Sequence, residues 1–302
     1  MPKRQREAAE SRTQHAKRLR SNAQKSKPTH LFDLPAEMLN MIYEYALTTD
    51  NGHLETEILR PNYWEPDDTR KTRIRPFLDP YRTYEEFNTL KYVCKKFYEE
   101  TTGLELQYNT LVFNQKARAE LEPDQQLLTF ASLCSPAKWS WIKSIELHIK
   151  ALAMPYRMHL TYFLTEDHLD AYARVANFCR DNPNIQVKYI LNSLYWGAGY
   201  HVGAGARGII NQGIVLHKAL RDVDVSYLHP QEAADLLEYG AVLRRGKNVS
   251  LWYAPNLRFY PMQKKMDEME FRRGRGSVNM DEVEGGMDKW IEVVNDWVKN
   301  GF

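Results

Sequence analysis

Cysteine is scarce in this chain. Cys94, Cys134 and Cys179 are the only three in 302 residues, no two form a C-x-x-C pair, and each lies in or beside an apolar stretch where a small thiol packs well. A reduced, intracellular protein is the expectation. Long apolar runs are lacking as well. No segment reaches the ~20 apolar residues of a membrane span, and the basic N-terminus leads into no signal-peptide core, so the reading is a soluble protein that is not secreted.

The usual marks of catalysis are also sparse. The nine histidines form no H-x-x-x-H, no H-x-H and no Cys/His quartet, which leaves a structural metal without a ligand set. There is no G-x-S-x-G nucleophile turn and no G-x-x-x-x-G-K phosphate loop. Gly203, Gly205 and Gly208 do match G-x-G-x-x-G, a pattern whose glycines let backbone approach a pyrophosphate. The strand expected before it ends near Leu191, too far upstream for a tight strand-to-helix turn, and Asp222 and Asp224 follow a helix where the ribose-binding acid ends a strand. His168, among Glu166, Asp167 and Asp170, reads as a solvated helix start whose acids suit the positive end of the dipole. No catalytic, cofactor-binding or metal-binding residue is assigned, and the expectation is a protein that is not an enzyme and needs no cofactor.

What is present begins with charge. Residues 1–28 carry nine Lys or Arg against two acids and almost no large apolar side chain, so they are read as a disordered basic tail. Within it Lys3 and Arg4, then Lys17, Arg18 and Arg20, have the spacing of a bipartite nuclear import signal. A nuclear or nucleocytoplasmic protein is expected. A loosely polyanion-binding tail is the alternative.

Apolar residues at 38, 39, 41, 42, 45 and 46 give a helix opened by Pro35. A second helix is predicted from a capping box at Thr83 and Glu86, with apolar positions 87, 90, 93, 94, 97 and 98. The polar stretch 48–82 between them reads as a projecting loop. Strands are expected at 109–113, 142–149, 185–191 and 249–253, and helices at 123–133, 166–180 (behind a Thr165 cap), 211–221 and 230–243. A flexible linker over 261–286 would then lead to a C-terminal amphipathic helix, with Met287, Trp290, Ile291, Val294, Trp297 and Val298 on one face. That helix docks either on its own domain or on a partner.

Leu34-Pro35-Ala36-Glu37, followed by Leu39, Ile42 and Leu47, resembles the opening helix of an F-box, and in particular the F-box-like segment of a group of filamentous-fungal proteins that reads L-P-x-E-x-R-x-x-I-Y-x-x-A-L. Leu39 stands where that pattern has arginine. Leu90-Lys91-Tyr92-Val93-Cys94-Lys95-Lys96-Phe97-Tyr98-Glu99-Glu100 resembles the second signature helix of the same group, and 108–113 the strand after it. The resemblance implies a helix pair at 29–103 whose Leu34, Pro35, Leu39, Ile42 and Val93 bind the Skp-type adaptor of a cullin-RING ubiquitin ligase, while the remainder recruits a substrate. The long stretch 48–82 departs from a compact F-box. Burial of these same residues against a sheet is the competing reading.

Alternation of strands and helices over 104–260 points to an α+β to α/β chain with a small mixed or parallel sheet and crossover helices. The function that the F-box resemblance implies is protein–protein interaction, as a ubiquitin-ligase substrate receptor. Nucleic-acid binding through basic segments is the first alternative and a dinucleotide enzyme the second.

Overall fold

The computed structural model describes residues 30–59, 73–78, 87–114, 121–148, 166–191, 205–244, 246–273 and 278–302. Its internal contacts divide the chain into two units, Met1–Ala46 and Leu47–Phe302. The boundary thus falls within the first helix and not near residue 103. The basic tail with Lys3, Arg4, Lys17, Arg18 and Arg20, the capping pattern at 83–86 and the Thr165 cap lie outside the described residues.

The first unit opens on a 3-10 turn, Leu31–Asp33. The His30 N–H donates to Asp33 Oδ2 at 2.9 Å and the Asp33 N–H returns to the His30 carbonyl at 2.8 Å. Pro35 follows, and its carbonyl accepts from the N–H groups of Met38 and Leu39 at 3.0 and 3.1 Å, which starts helix α1 (Ala36–Leu47). Proline suits this place because no helical donor is lost there.

In the second unit six strands form one sheet: β1 (His53–Leu59), β2 (Arg73–Leu78), β3 (Thr110–Asn114), β4 (Ser144–His148), β5 (Gln186–Leu191) and β6 (Leu257–Pro261). Their order is β2-β1-β3-β4-β5-β6. The β1/β2 pair is antiparallel and every other neighbouring pair is parallel, giving a mixed sheet of the α/β class. Two strands therefore occupy the stretch expected to be a loop. Its polar residues were misleading because they alternate: His53 and Glu55 share one face, while Leu54 and Thr56 are buried on the other. Asn109 fastens this segment in place. Its Nδ2 donates to the carbonyls of Leu47 (2.6 Å) and Glu105 (2.9 Å), and its Oδ1 accepts from the Thr49 N–H (2.8 Å) and hydroxyl (3.0 Å).

One face of the sheet is the core. Leu111, Phe113, Ile145, Leu147, Val187, Tyr189, Leu257 and Phe259 lie on it, all buried. Helices α4 (Pro123–Leu133) and α6 (Glu166–Asp181) pack there. Phe130 of α4 meets Phe113 edge-on at 5.6 Å, and Tyr172 of α6 stands at 4.8 and 5.0 Å from Tyr189 and Phe259. Such tilted ring pairs add about 0.5–1.5 kcal/mol each beyond the area they bury. Short helices α2 (Lys95–Thr101) and α3 (Glu105–Tyr108) precede β3, and α5 (Pro136–Trp139) precedes β4. Helix α2 starts later than its apolar spacing predicts. Leu90–Tyr92 is a 3-10 turn, Cys94 is fully extended (φ −161°, ψ 168°), and Asn88 is buried with its amide on Thr101 O and Glu105 Oε2.

Helix α7 (Gly205–Leu216) runs into a π turn, His217–Arg221, which ends at Asp222 in the left-handed region (φ 55°). Helix α8 (Ala233–Arg244) follows. Residues 249–253, expected as a strand, contain instead the 3-10 turn Val249–Trp252, whose start Asn248 caps by accepting the Ser250 N–H at 2.9 Å. The place beside β5 goes to β6, positioned by Asn256, whose amide donates to the carbonyls of Cys179, Asn182 and Ile185. The stretch 261–286, expected as a linker, contains regular elements among its described residues. It holds the end of β6, helix α9 (Glu268–Arg273) with buried Phe271, and a 3-10 turn, Met280–Glu282.

The C-terminal helix α10 (Gly286–Asn300) docks on its own unit. Trp290, Ile291, Val294 and Trp297 are buried, and the Trp290 Nε1–H donates to Leu228 O at 2.6 Å. Trp297 lies directly on Gly213 of α7, where a Cβ would fall inside its ring. Gly301 (φ 72°) ends the helix, and the Phe302 N–H joins the outer edge of β6 through Phe259 O at 2.8 Å. We predict that Gly213→Ala destabilises the chain by at least about 2 kcal/mol, because the steric cost of overpacking exceeds the ~1 kcal/mol helix-propensity gain of alanine. Denaturation followed by tryptophan fluorescence measures this, and an unchanged or raised midpoint would contradict the seating of α10 on Gly213.

Candidate functional site

Two surfaces carry chemistry that the core does not consume. The first is helix α1. Met38, Met41, Ile42 and Tyr45 are 49%, 70%, 37% and 88% exposed, and they stand at i, i+3, i+4 and i+7, which is one stripe of a helix. Tyr43 and Leu47 on the opposite side are buried. Glu37 and Glu44, both exposed, flank the stripe on one side, and the helix contains no basic residue. Of the residues singled out in the sequence, Leu34 and Leu39 are half-buried, and Pro35 and Ile42 are exposed beside them in the same unit. Val93, 66% exposed, belongs to the second unit together with the exposed Tyr92 and Tyr98. Ile42 and Val93 are thus not core residues.

The second surface is the other face of the sheet, where the alternate residues of each strand are largely polar. One row across it reads Glu55, Val112, Glu146, Lys188 and Arg258 from β1 to β6. Glu146 is its centre, with only 7% of its side chain exposed. Its carboxylate accepts from His148 Nε2 at 3.1 Å and meets Lys188 Nζ at 3.4 Å and His53 Nε2 at 3.9 Å. Burial alone would raise the Glu146 pKa, but the His148 hydrogen bond and the charges of His53, Lys188 and His148 bring the carboxyl down to about 2. Burial lowers the pKa of His53; the charges of Lys264, His148 and Lys188 add to this, while Glu146 opposes it. Ser144, Glu146 and His148 share this face because strand side chains alternate, so the signal was present in S-I-E-L-H. Partners arriving from β1 and β5 could not be read from that segment alone.

Of the glycine pattern at 203–208, Gly205 and Gly208 lie in α7, while Gly203 lies outside the described residues. Leu191 ends β5 well before Gly205 opens α7, and Arg207 of the first turn is paired with Glu232. The order of the parallel strands never reverses, so the sheet has no topological switch point of the kind that makes a nucleotide crevice. Among the described residues no group of three or more His, Cys, Asp or Glu side chains is arranged to hold a metal ion, and no helix is long and apolar enough to cross a membrane. Compared with family models, with curated proteins and with solved structures, the chain gives no match in any of the three.

A carboxyl whose pKa falls on folding stabilises the folded state above its unfolded value, and that stabilisation is lost as pH drops toward the folded value. For Glu146 the window runs from about 4.5 down to about 2. Glu146→Gln should lower stability at neutral pH by about 1–3 kcal/mol and flatten the acid limb across that window. Urea unfolding at a series of pH values tests both, and an unaltered acid limb would show that the cluster does not act through this carboxylate.

Proposed function

We propose that this chain is a non-catalytic, F-box-like interaction protein that docks through helix α1 onto the Skp-type adaptor of a cullin-RING ubiquitin ligase, while its α/β body selects a target. The observation that carries the reading is the exposed apolar stripe of Met38, Met41, Ile42 and Tyr45, presented behind the Leu34-Pro35 turn. A folded chain gains nothing by leaving four such side chains in water, whereas burying each in a partner's groove is worth roughly 1.5–3 kcal/mol before the costs of association. Anchors at i, i+3, i+4 and i+7 are the arrangement by which a helix fills an apolar groove. Import through Lys3, Arg4, Lys17, Arg18 and Arg20 would place the protein in the nucleus as well as the cytoplasm.

The test uses Met41→Asp/Tyr45→Asp, since both side chains are mostly in solvent and their loss leaves the core intact. Titrated with a purified Skp-type adaptor, the wild type should bind and the variant should bind at least about 100-fold more weakly, as expected for loss of two central anchors. Equal melting temperatures establish that the variant is folded. A wild type that neither binds the adaptor in solution nor recovers adaptor and cullin from a fungal extract would refute the proposal.

A further inference from the structure

We infer that the β5–β6 end of the polar sheet face is a binding site for a phosphate-bearing ligand, independently of any docking through α1. The row Glu55, Val112, Glu146, Lys188, Arg258 changes sign along its length, with its acids toward β1 and its cations toward β6. Lys188 and Arg258 are direct partners in the parallel register and point to the same face. Like charges placed side by side on neighbouring strands destabilise a sheet, and an anion between them removes the penalty. Lys188 is attracted to Glu146 on one side but keeps 43% of its side chain exposed. Arg258 is exposed and makes no ion pair among the described residues. Lys264, just beyond β6 in the sequence, is a further cation, and its charge acts on His53.

Glu146 organises the site from beneath. It is nearly buried, and it holds His148 Nε2 at 3.1 Å and Lys188 Nζ at 3.4 Å. Tyr260 stands next to Ile190 in the adjoining row, with the Lys188 ammonium 6.0 Å from its ring centre. A planar group attached to the phosphate would meet this partly exposed ring. An ammonium held against a buried carboxylate, with an exposed guanidinium on the neighbouring strand able to grip two oxygens at once, is suited to a phosphate more than to a simple halide.

The full chain is titrated with pyrophosphate by calorimetry and with a labelled short single-stranded oligonucleotide by anisotropy. Wild type is compared with Arg258→Glu/Lys264→Glu and with a tail variant in which Lys3, Arg4, Lys17, Arg18 and Arg20 are all glutamine. The sheet variant should lose about tenfold or more in affinity and the tail variant less than about twofold, and the wild-type affinity should fall as salt is added. Binding of both probes supports the site and makes a polynucleotide the source of the phosphate; binding of pyrophosphate alone supports it and makes the source a small phosphorylated molecule. No binding of either probe to wild type, or a loss confined to the tail variant, overturns the inference. Circular dichroism and melting confirm that the sheet variant is folded, and Arg258→Gln, which only removes an exposed charge, replaces it if it is not.

Discussion

The parallel strand order that runs from β1 through β3, β4 and β5 to β6 without turning back governs most of this molecule. Parallel crossovers are right-handed for steric reasons, so a chain that always steps in one direction lays its helices on the same side. The contacts agree: Phe130 of α4 and Tyr172 of α6 both press on the face that carries Phe113, Tyr189 and Phe259. One face of the sheet becomes a dense aromatic core, while the alternate residues on the other are largely polar, with Glu146 at their centre. A doubly wound sheet of similar size would have spent both faces on packing and gained a crevice at the reversal. Among the described strands there is no such reversal, and His53, His148 and Lys188 gather around Glu146 on the polar face.

The same economy explains the C-terminal helix. With β6 as the last strand, its outer edge would present unpaired backbone groups. Phe302 bonds to Phe259 on that edge, and Trp297 packs into the gap left by the missing side chain of Gly213. His217 of the π turn is enclosed by the rings of Trp297 and Phe302 at 5.7 and 5.3 Å, and burial, reinforced by the charge of Arg221, lowers its pKa to about 4. It therefore sits neutral in an aromatic setting, where a charged imidazole would be costly. Helix α10 is an integral part of the α/β unit.

Much of this was legible in the sequence, and the failures have physical causes. Helix 123–133 and the strands near 110, 145 and 188 were read correctly because their periodicity is reinforced by local chemistry, such as Pro123 at the first helical position. The segment 53–59 was missed because its polar residues looked like loop composition, although alternation was the informative property. Residues 249–253 have the β-branched and aromatic composition of a strand, yet Asn248 caps a turn and Trp252 sends its indole N–H to Leu169 O, a partner no local pattern reveals. Among candidate site residues, the apolar spacing of α1 was visible. Which of its faces would be exposed was not, because exposure depends on tertiary contacts.

Helix α1 has twelve residues, a length at which an isolated helix in water is marginal even with favourable residues. Its start is braced locally by the His30–Asp33 pair and the Pro35 carbonyl, and its last residue, Leu47, is held through its carbonyl by Asn109. These end restraints favour the helical form without using the stripe between them. In the proposed docking this arrangement would let the apolar contact energy go into affinity, because the ordering entropy is largely met before a partner arrives. Had the stripe been needed to hold α1 in place, Met41 and Tyr45 would be buried; instead they are the most exposed large apolar residues of the helix.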